Sequence, residues 1–277
     1  MGTSLSISRR EALRRAGLLS AGVFAARTGV GAEAPFGVSQ IDHVEFFVSN
    51  VERSVTFYAR LFGNTVLKNN RTTRRYVKLG PAYIAIDTGQ QIQVDHFCAG
   101  VPGFEAASAH SLLDQRGVAY RDYPSGRDLA VTDPDGTRLQ FAAAEGWGTL
   151  PGSPESIALA GEPIFKATGI DHILLNVSDP EKSTAFFEKV LGPVTQRNNN
   201  RIWFQAGTGR IGLLQTPAGQ KAGVNHYCVS TPAFDYAAVV KRLEGIGIKA
   251  DPPEVAGAPE FRDPDGYRVQ VMTPRAA

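Results

Sequence analysis

The chain has 277 residues, 43% of them apolar and 20% charged, with a formal net charge of +2. That length and balance fit two domains with real cores and exclude a disordered chain. Two cysteines with no Cys-x-x-Cys pair exclude a disulfide scaffold and a multi-cysteine zinc module.

The charge is unevenly placed. Of the 29 Lys and Arg residues, Arg9, Arg10, Arg14, Arg15 and Arg27 fall within the first 32 positions, opposed there only by Glu11, a local +4. The remainder holds 24 basic and 26 acidic side chains, a net of −2, so a nucleic-acid partner loses its main support. A basic start, an apolar run from Ala16 to Ala26 and a small-residue stretch from Thr28 to Ala34 follow the order of a secretory signal over residues 1–32. The apolar run is too short for the roughly 20 residues of a membrane span, and Val30-Gly31-Ala32 places cleavage after Ala32. Ser8-Arg9-Arg10-Glu11-Ala12-Leu13 resembles the twin-arginine export motif, with Ala12 where a bulky apolar residue is usual. The resemblance implies transient engagement of the twin-arginine export machinery and a periplasmic or secreted mature chain. An amphipathic N-terminal helix that stays attached is the alternative.

Beyond the leader, Ile41-Asp42-His43-Val44 reads as part of a strand. A helix carrying Val51, Val55, Tyr58 and Phe62 on one face follows, stopped near Gly63, and Asn69-Asn70-Arg71 is a hairpin tip. Val94-Asp95-His96-Phe97 opens a second strand, with a helix before Gly117 and a tight turn at Asp133-Pro134-Asp135-Gly136. A Gly-, Pro- and Ser-rich linker spans residues 144–166. Ile170-Asp171-His172-Ile173 then begins a third strand. The next helix has Asp179 as N-cap, Pro180 first, Ala185, Phe186 and Val190 on one face, and Gly192 at its end. Asn198-Asn199-Asn200-Arg201 is another tip. Val224-Asn225-His226-Tyr227, a helix before Gly247 and the turn Asp263-Pro264-Asp265-Gly266 complete the chain.

These landmarks repeat. His43 to His96 is 53 positions and His172 to His226 is 54, while the halves are offset by 129 and 130. The Asp-Pro-Asp-Gly turns, Arg138 and Arg268, Gln140 and Gln270, Cys98 and Cys228, and Gly117 and Gly247 are all displaced by 130. The unit is therefore β-α-β-β-β used four times. The expected fold class is α+β, with one domain over residues 39–143 and a second over 167–275.

Paired βαβββ units with Ile-Asp-His openings and an Asp-Pro-Asp-Gly turn near each domain's end resemble the vicinal oxygen chelate superfamily, which includes glyoxalases, bleomycin-resistance proteins and extradiol dioxygenases. The resemblance covers essentially all of residues 39–273. It implies two cupped sheets, with metal ligands His43, His96 and Gln140 in the first cup and His172, His226 and Gln270 in the second. The implied cofactor is a divalent ion: iron, manganese, zinc or nickel. Alternate side chains on a strand share a face, so Glu45 lies beside His43, Cys98 beside His96 and Cys228 beside His226. Glu45 is the candidate general base, and the first cup the candidate active one, because the second has Leu174 there.

Where metal-using members of the superfamily carry Glu on the last strand, this chain carries Gln twice. A neutral donor set favours an anionic, chelating small-molecule substrate. The fourth strands offer no ligand-type side chain, a count closer to the dioxygenases. The dioxygenases' Tyr before the Asp-Pro turn is absent, with Glu260 and Ala130 in that region. The reading is an exported metal-dependent lyase, isomerase or dioxygenase acting on vicinal oxygens. The alternatives are a metal-free binding or sequestration protein of the bleomycin-resistance type, or a non-catalytic scaffold. Arg71, Arg74, Arg75 and Arg201 are candidates for a cationic cup mouth and Trp203 for a wall of the second cup. His110, without a repeat partner, is expected at the surface or in a structural role, and both cysteines are expected as free buried thiols.

Overall fold

Four βαβββ modules follow one another along residues 35–144, 146–198 and 200–274, which the computed structural model describes. The first runs β1 (Gln40–Phe47), α1 (Val51–Phe62), β2 (Val66–Asn69), β3 (Arg75–Leu79) and β4 (Ala82–Asp87). The second is β5 (Gln93–Val101), α2 (Ala106–Gln115), β6 (Tyr120–Asp122), β7 (Asp128–Thr132) and β8 (Arg138–Ala143). After β9 (Gly152–Glu155), the third comprises β10 (Gly169–Val177), α3 (Pro180–Leu191), β11 (Val194–Asn198), β12 (Arg201–Ala206) and β13 (Gly209–Gln215). The last is β14 (Gly223–Ser230), α4 (Tyr236–Gly245), β15 (Ala250–Asp251), β16 (Glu260–Arg262) and β17 (Arg268–Met272). The leader read over residues 1–32 lies outside the described residues. Among those described, no helix is long and apolar enough to cross a membrane.

The strands form two sheets, ordered β6-β7-β8-β5-β1-β4-β3-β2-β9 and β11-β12-β13-β10-β14-β17-β16-β15. Each is one α+β domain with its two histidine strands paired antiparallel at the centre. The 144–166 segment does more than link. It contributes a 3-10 turn (Gly146–Thr149) and β9, which pairs antiparallel with β2 and extends the first sheet.

Local chemistry accounts for the helices. Asn50 accepts a hydrogen bond from the Arg53 N–H at 2.9 Å, and Val51, Val55, Tyr58 and Phe62 are buried. Asp179 accepts from the Glu181 and Lys182 N–H groups, Pro180 supplies a preset φ, and Gly192 ends α3 at φ 97°. The buried stripe of α3 differs from the expected one. It runs Ser183, Thr184, Phe187, Val190 and Leu191, leaving Phe186 half-buried and Ala185 exposed. The cap fixes the helix phase, and two adjacent phenylalanines cannot share one face.

Strand alternation sorts the apolar residues by face. Val44, Phe46, Val77 and Ile84 join the helix-backed core. Tyr76, Tyr83 and Ala85 form a separate cluster on the concave face, covered by Leu67, Trp147 and Leu150. On the second sheet Cys228, Ala258 and Met272 pack with Val255.

The Asp-Pro-Asp-Gly segments are tight turns, with Gly136 and Gly266 both at φ 90°. Each also reaches the other domain. Asp135 accepts from the Ser178 N–H at 2.9 Å, just before α3. Asp265 accepts from the Ser49 N–H at 3.2 Å, from Arg53 at 3.0 Å and from the Ser54 hydroxyl at 3.3 Å, around the start of α1. Asp263 accepts from the buried Tyr58 hydroxyl at 2.9 Å. The β12–β13 turn approaches residue 39 so closely that a Cβ on Gly207 (φ 63°) would lie 1.8 Å from the Ser39 carbonyl carbon. Glycine is required there.

Candidate metal centre

The residue before each histidine is the extra one of a β-bulge. On β1 the pairing steps from Ile41↔Ala99 to His43↔Cys98, leaving Asp42 unpaired, and on β5 it steps from Glu45↔His96 to Phe46↔Val94, leaving Asp95. The second domain repeats this at Asp171 and Asn225. A bulge bends the strand and re-aims its side chains. Neighbours that would point to opposite faces therefore meet. His43 Nδ1 lies 2.7 Å from an Asp42 carboxylate oxygen, His96 Nδ1 2.8 Å from Asp95, His172 Nδ1 2.6 Å from Asp171, and His226 Nδ1 2.8 Å from the Asn225 carbonyl oxygen.

These contacts fix the tautomers. A carboxylate only accepts, so Nδ1 of His43, His96 and His172 carries the proton. Asn225 Oδ1 also accepts from Arg268 at 2.8 Å, and the Asn225 amide N–H₂ donates to Asn176, which makes His226 Nδ1 a donor too. The Nε2 atoms face each other across each cup, 3.1 Å apart for His43 and His96 and 3.0 Å for His172 and His226. Burial, with His172, Arg268 and Arg201 adding to it, holds His226 well below the usual imidazole range, so its Nε2 presents a lone pair. At about 3 Å the two Nε2 atoms of each cup are close enough to share a proton or a cation. Histidines oriented through Nδ1 by a carboxylate, with Nε2 free to coordinate, are the usual metal-ligand arrangement.

The expected third ligands stand on the same face. Gln140 pairs with Cys98, which pairs with His43. Its amide N–H₂ donates to Asp128 at 2.5 Å, and its buried carbonyl oxygen has no hydrogen-bond partner among the described residues. Gln270 donates to Glu260 at 3.0 Å. Glu45 is buried on the His43 face, ion-paired to Arg74 at 2.5 Å, with its other oxygen 3.8 Å from His96 Nε2. Burial raises its pKa, and His96 and Arg74 pull it partly back. Three groups of potential ligand atoms lie mutually within 4.8 Å among the described residues: Asp42, His43 and Cys98; Asp171, His172 and Cys228; and Glu45, Asp95 and His96. Both cysteines are buried, and burial pushes the Cys98 thiol well up, keeping it an inert thiol.

Strand register aligns the cups and shows how they differ. Tyr83, opposite His43, corresponds to Arg210, opposite His172; Tyr76 corresponds to Trp203, and Asp128 to Ala258. The first cup keeps Glu45, Asp95 and Asp128 where the second has Leu174, Asn225 and Ala258. His43 stacks on Tyr83 at 4.5 Å, and Trp147 closes over that ring at 6.1 Å. The Tyr123 hydroxyl is a further buried polar atom without a hydrogen-bond partner among the described residues. Burial raises its pKa, and it feels Arg138, Asp95, Asp128 and Glu45, which places it at the first cup. In the second, Trp203 meets His172 edge-on at 5.3 Å, with the Arg210 guanidinium 3.9 Å above its ring.

Of the four arginines expected at a cup mouth, Arg74 reaches Glu45, Arg75 turns to Glu155 on β9, Arg201 pairs with Glu254, and Arg71 is exposed. His110 bonds to Asp122 at 2.7 Å and stacks on Tyr120, away from either cup. The outer carboxylates Asp42, Asp95 and Asp171 escaped the sequence reading. The signal was present, because each of the four cup histidines, unlike His110, follows Asp or Asn.

The family model described as the glyoxalase/bleomycin resistance protein/dioxygenase superfamily matches residues 40–102 and 169–271. A metapyrocatechase from Geobacillus stearothermophilus is 23% identical over 277 residues, covering 87% of this chain and 82% of that one. The 2,3-dioxygenase LapB from Pseudomonas sp. KL28 superposes with a TM-score of 0.68 at 18% identity, over 87% of this chain and 93% of that one. A Mn(II)-bound glyoxalase from Novosphingobium aromaticivorans superposes with a TM-score of 0.64 at 17% identity, over 86% and 82%.

Proposed function

Since the chain belongs to the glyoxalase/bleomycin resistance protein/dioxygenase superfamily, we propose that it is a metal-dependent enzyme whose first cup is the reacting one. His43, His96 and Gln140 would hold a divalent ion there, and the substrate class is a small anion with two vicinal oxygens. The observation that carries this reading is the pair of Nε2 atoms 3.1 Å apart, each imidazole pinned through Nδ1 by its own aspartate. A bound divalent ion supplies Lewis acidity towards those oxygens. Glu45 is the general base, lying beside His96, with its basicity raised by burial. Arg74 orients it, and Tyr76, Tyr83 and Trp147 exclude water from the reacting face. The chemistry is proton transfer next to a chelated oxygen, as in a lyase or isomerase.

Oxygen-dependent ring cleavage is the second reading. The three-donor set favours it, since Tyr83 on β4 supplies no fourth ligand of the usual type. The second cup has the paired imidazoles but Leu174 and Ala258 in place of two carboxylates, and it is assigned no chemistry. The mature chain begins after Ala32 and is exported by the twin-arginine route.

The test is metal content followed by turnover. The mature chain, loaded anaerobically with Fe(II), Mn(II), Zn(II) or Ni(II), retains metal after gel filtration. It then exchanges a carbon-bound proton of an α-hydroxyketone or hemithioacetal without consuming oxygen. Oxygen uptake with a catechol selects the second reading. Absence of metal retention overturns both.

A further inference from the structure

The two glutamines stand where a carboxylate ligand is expected, yet each cup has a carboxylate directly behind its glutamine. Gln140 on β8 donates its amide N–H₂ to Asp128 at 2.5 Å, from the start of the neighbouring strand β7. Gln270 on β17 donates to Glu260 at 3.0 Å, from the neighbouring strand β16. The two carboxylates are not repeat equivalents. Asp128 corresponds in register to Ala258, and Glu260 to Ala130. The chain has therefore met one requirement twice, from two positions on the same face of the neighbouring strand.

That requirement is orientation and charge. A glutamine amide has a donor end and an acceptor end of nearly equal size, so before a cation binds its shape alone does not select which end faces the cup. A carboxylate accepts only. Facing it, the amide must turn its N–H₂ towards it and its oxygen away. Gln140 shows the result, with a buried carbonyl oxygen that no described residue bonds. Each carboxylate is itself held. The Ser125 hydroxyl donates to Asp128, while Glu260 accepts from the Glu254 N–H at 2.9 Å and from Arg268 at 2.6 Å. A carboxylate hydrogen-bonded to an amide also polarises its carbonyl, making the oxygen a better donor to a cation.

The geometry points to Asp128 and Glu260 as positioning residues. Each aims the carbonyl of its glutamine into its cup and returns, one bond removed, the negative charge that the last strand lacks. The inference rests on the metal reading and adds to it the sign of every substitution at the pair. Gln140→Glu alone sets two carboxylates against each other at Asp128, so it brings no gain in affinity. Asp128→Asn/Gln140→Glu reverses the hydrogen bond, because the Asn amide now donates to the new ligand carboxylate, and affinity rises.

The experiment titrates Mn(II) by electron paramagnetic resonance into the full mature chain carrying His172→Ala, so that only the first cup is read. Circular dichroism and thermal melting check each variant's fold. Asp128→Ala weakens binding about tenfold or more, the range for loss of a group that orients a ligand. Gln140→Glu binds no tighter than its parent, and Asp128→Asn/Gln140→Glu binds at least tenfold tighter than Gln140→Glu. Parental affinity in Asp128→Ala, or equal affinity in Gln140→Glu and the double variant, overturns the positioning role while leaving the metal reading intact. A parent that retains none of Mn(II), Fe(II), Zn(II) and Ni(II) overturns the metal reading and this inference together.

Discussion

Replacing Asp265 with alanine tests how the Asp-Pro-Asp-Gly turns join the two domains. Asp265 is almost wholly buried and accepts three hydrogen bonds around the start of α1. Ser49 is exposed, so water replaces part of its lost bond, leaving about 1 kcal/mol. Ser54 is fully buried, and its hydroxyl loses a charged acceptor, for about another 1 kcal/mol. Arg53 is half exposed, which limits that ion pair to a few tenths. Removing a negative charge from a helix N-terminus adds a similar amount. The sum is about 2.5 kcal/mol. The mirror substitution Asp135→Ala loses only the Ser178 bond and its own dipole contribution, about 1 kcal/mol. At roughly 2–4 °C per kcal/mol for a body of this size, the melting temperature falls about 5–10 °C for Asp265→Ala and about 2–4 °C for Asp135→Ala. Differential scanning calorimetry of the two variants measures this. Equal losses, or a greater loss at Asp135, refute the reasoning.

Three further outcomes follow from particular contacts. Burial raises the pKa of the Asp263 carboxyl, and the Tyr58 hydroxyl opposes this. The folded state thus holds that proton more tightly than the unfolded chain. The contribution is fully present below the unfolded value near 4 and is lost as pH rises through the raised folded value. Denaturant unfolding across that window shows the trend, Asp263→Asn removes it, and the same slope in the variant contradicts the assignment. Gly207→Ala adds a Cβ against the Ser39 carbonyl at a left-handed φ, and costs at least about 2 kcal/mol; a loss below half that would mean the turn moves freely. In a host with twin-arginine export, Arg9→Lys/Arg10→Lys leaves the precursor in the cytoplasm, whereas the parent yields a mature chain beginning at Glu33; unchanged fractionation contradicts the export reading.

The fourfold unit was legible because its landmarks recur at near-constant offsets; strand alternation gave the shared face of Glu45 and His43 and of Cys98 and His96, but not the cross-strand grouping that sets Glu45 beside His96 and Cys98 beside His43. Other features were hidden for definite reasons. A strict period of two sends Asp42 and His43 to opposite faces, and only the bulge lets them bond. Asp128 and Glu260 serve the same kind of amide from positions that do not match at the repeat offset, so comparing the halves passes over them. Residues 152–155 lack strand-forming composition and become β9 through pairing with β2. Tyr123, in the β6–β7 connection, has Pro253 as its offset partner in the sequence, and only the folded loop brings its hydroxyl to the first cup.

The central claim is that a cation belongs between His43 Nε2 and His96 Nε2. Crystals of the mature chain grown with Mn(II), with diffraction recorded on either side of the manganese absorption edge, test it most directly. The expected result is an anomalous peak within bonding distance of both Nε2 atoms and of the Gln140 carbonyl oxygen, lost in His43→Ala. A saturating Mn(II) concentration that leaves the two imidazoles in direct contact, with no anomalous density between them, would contradict it.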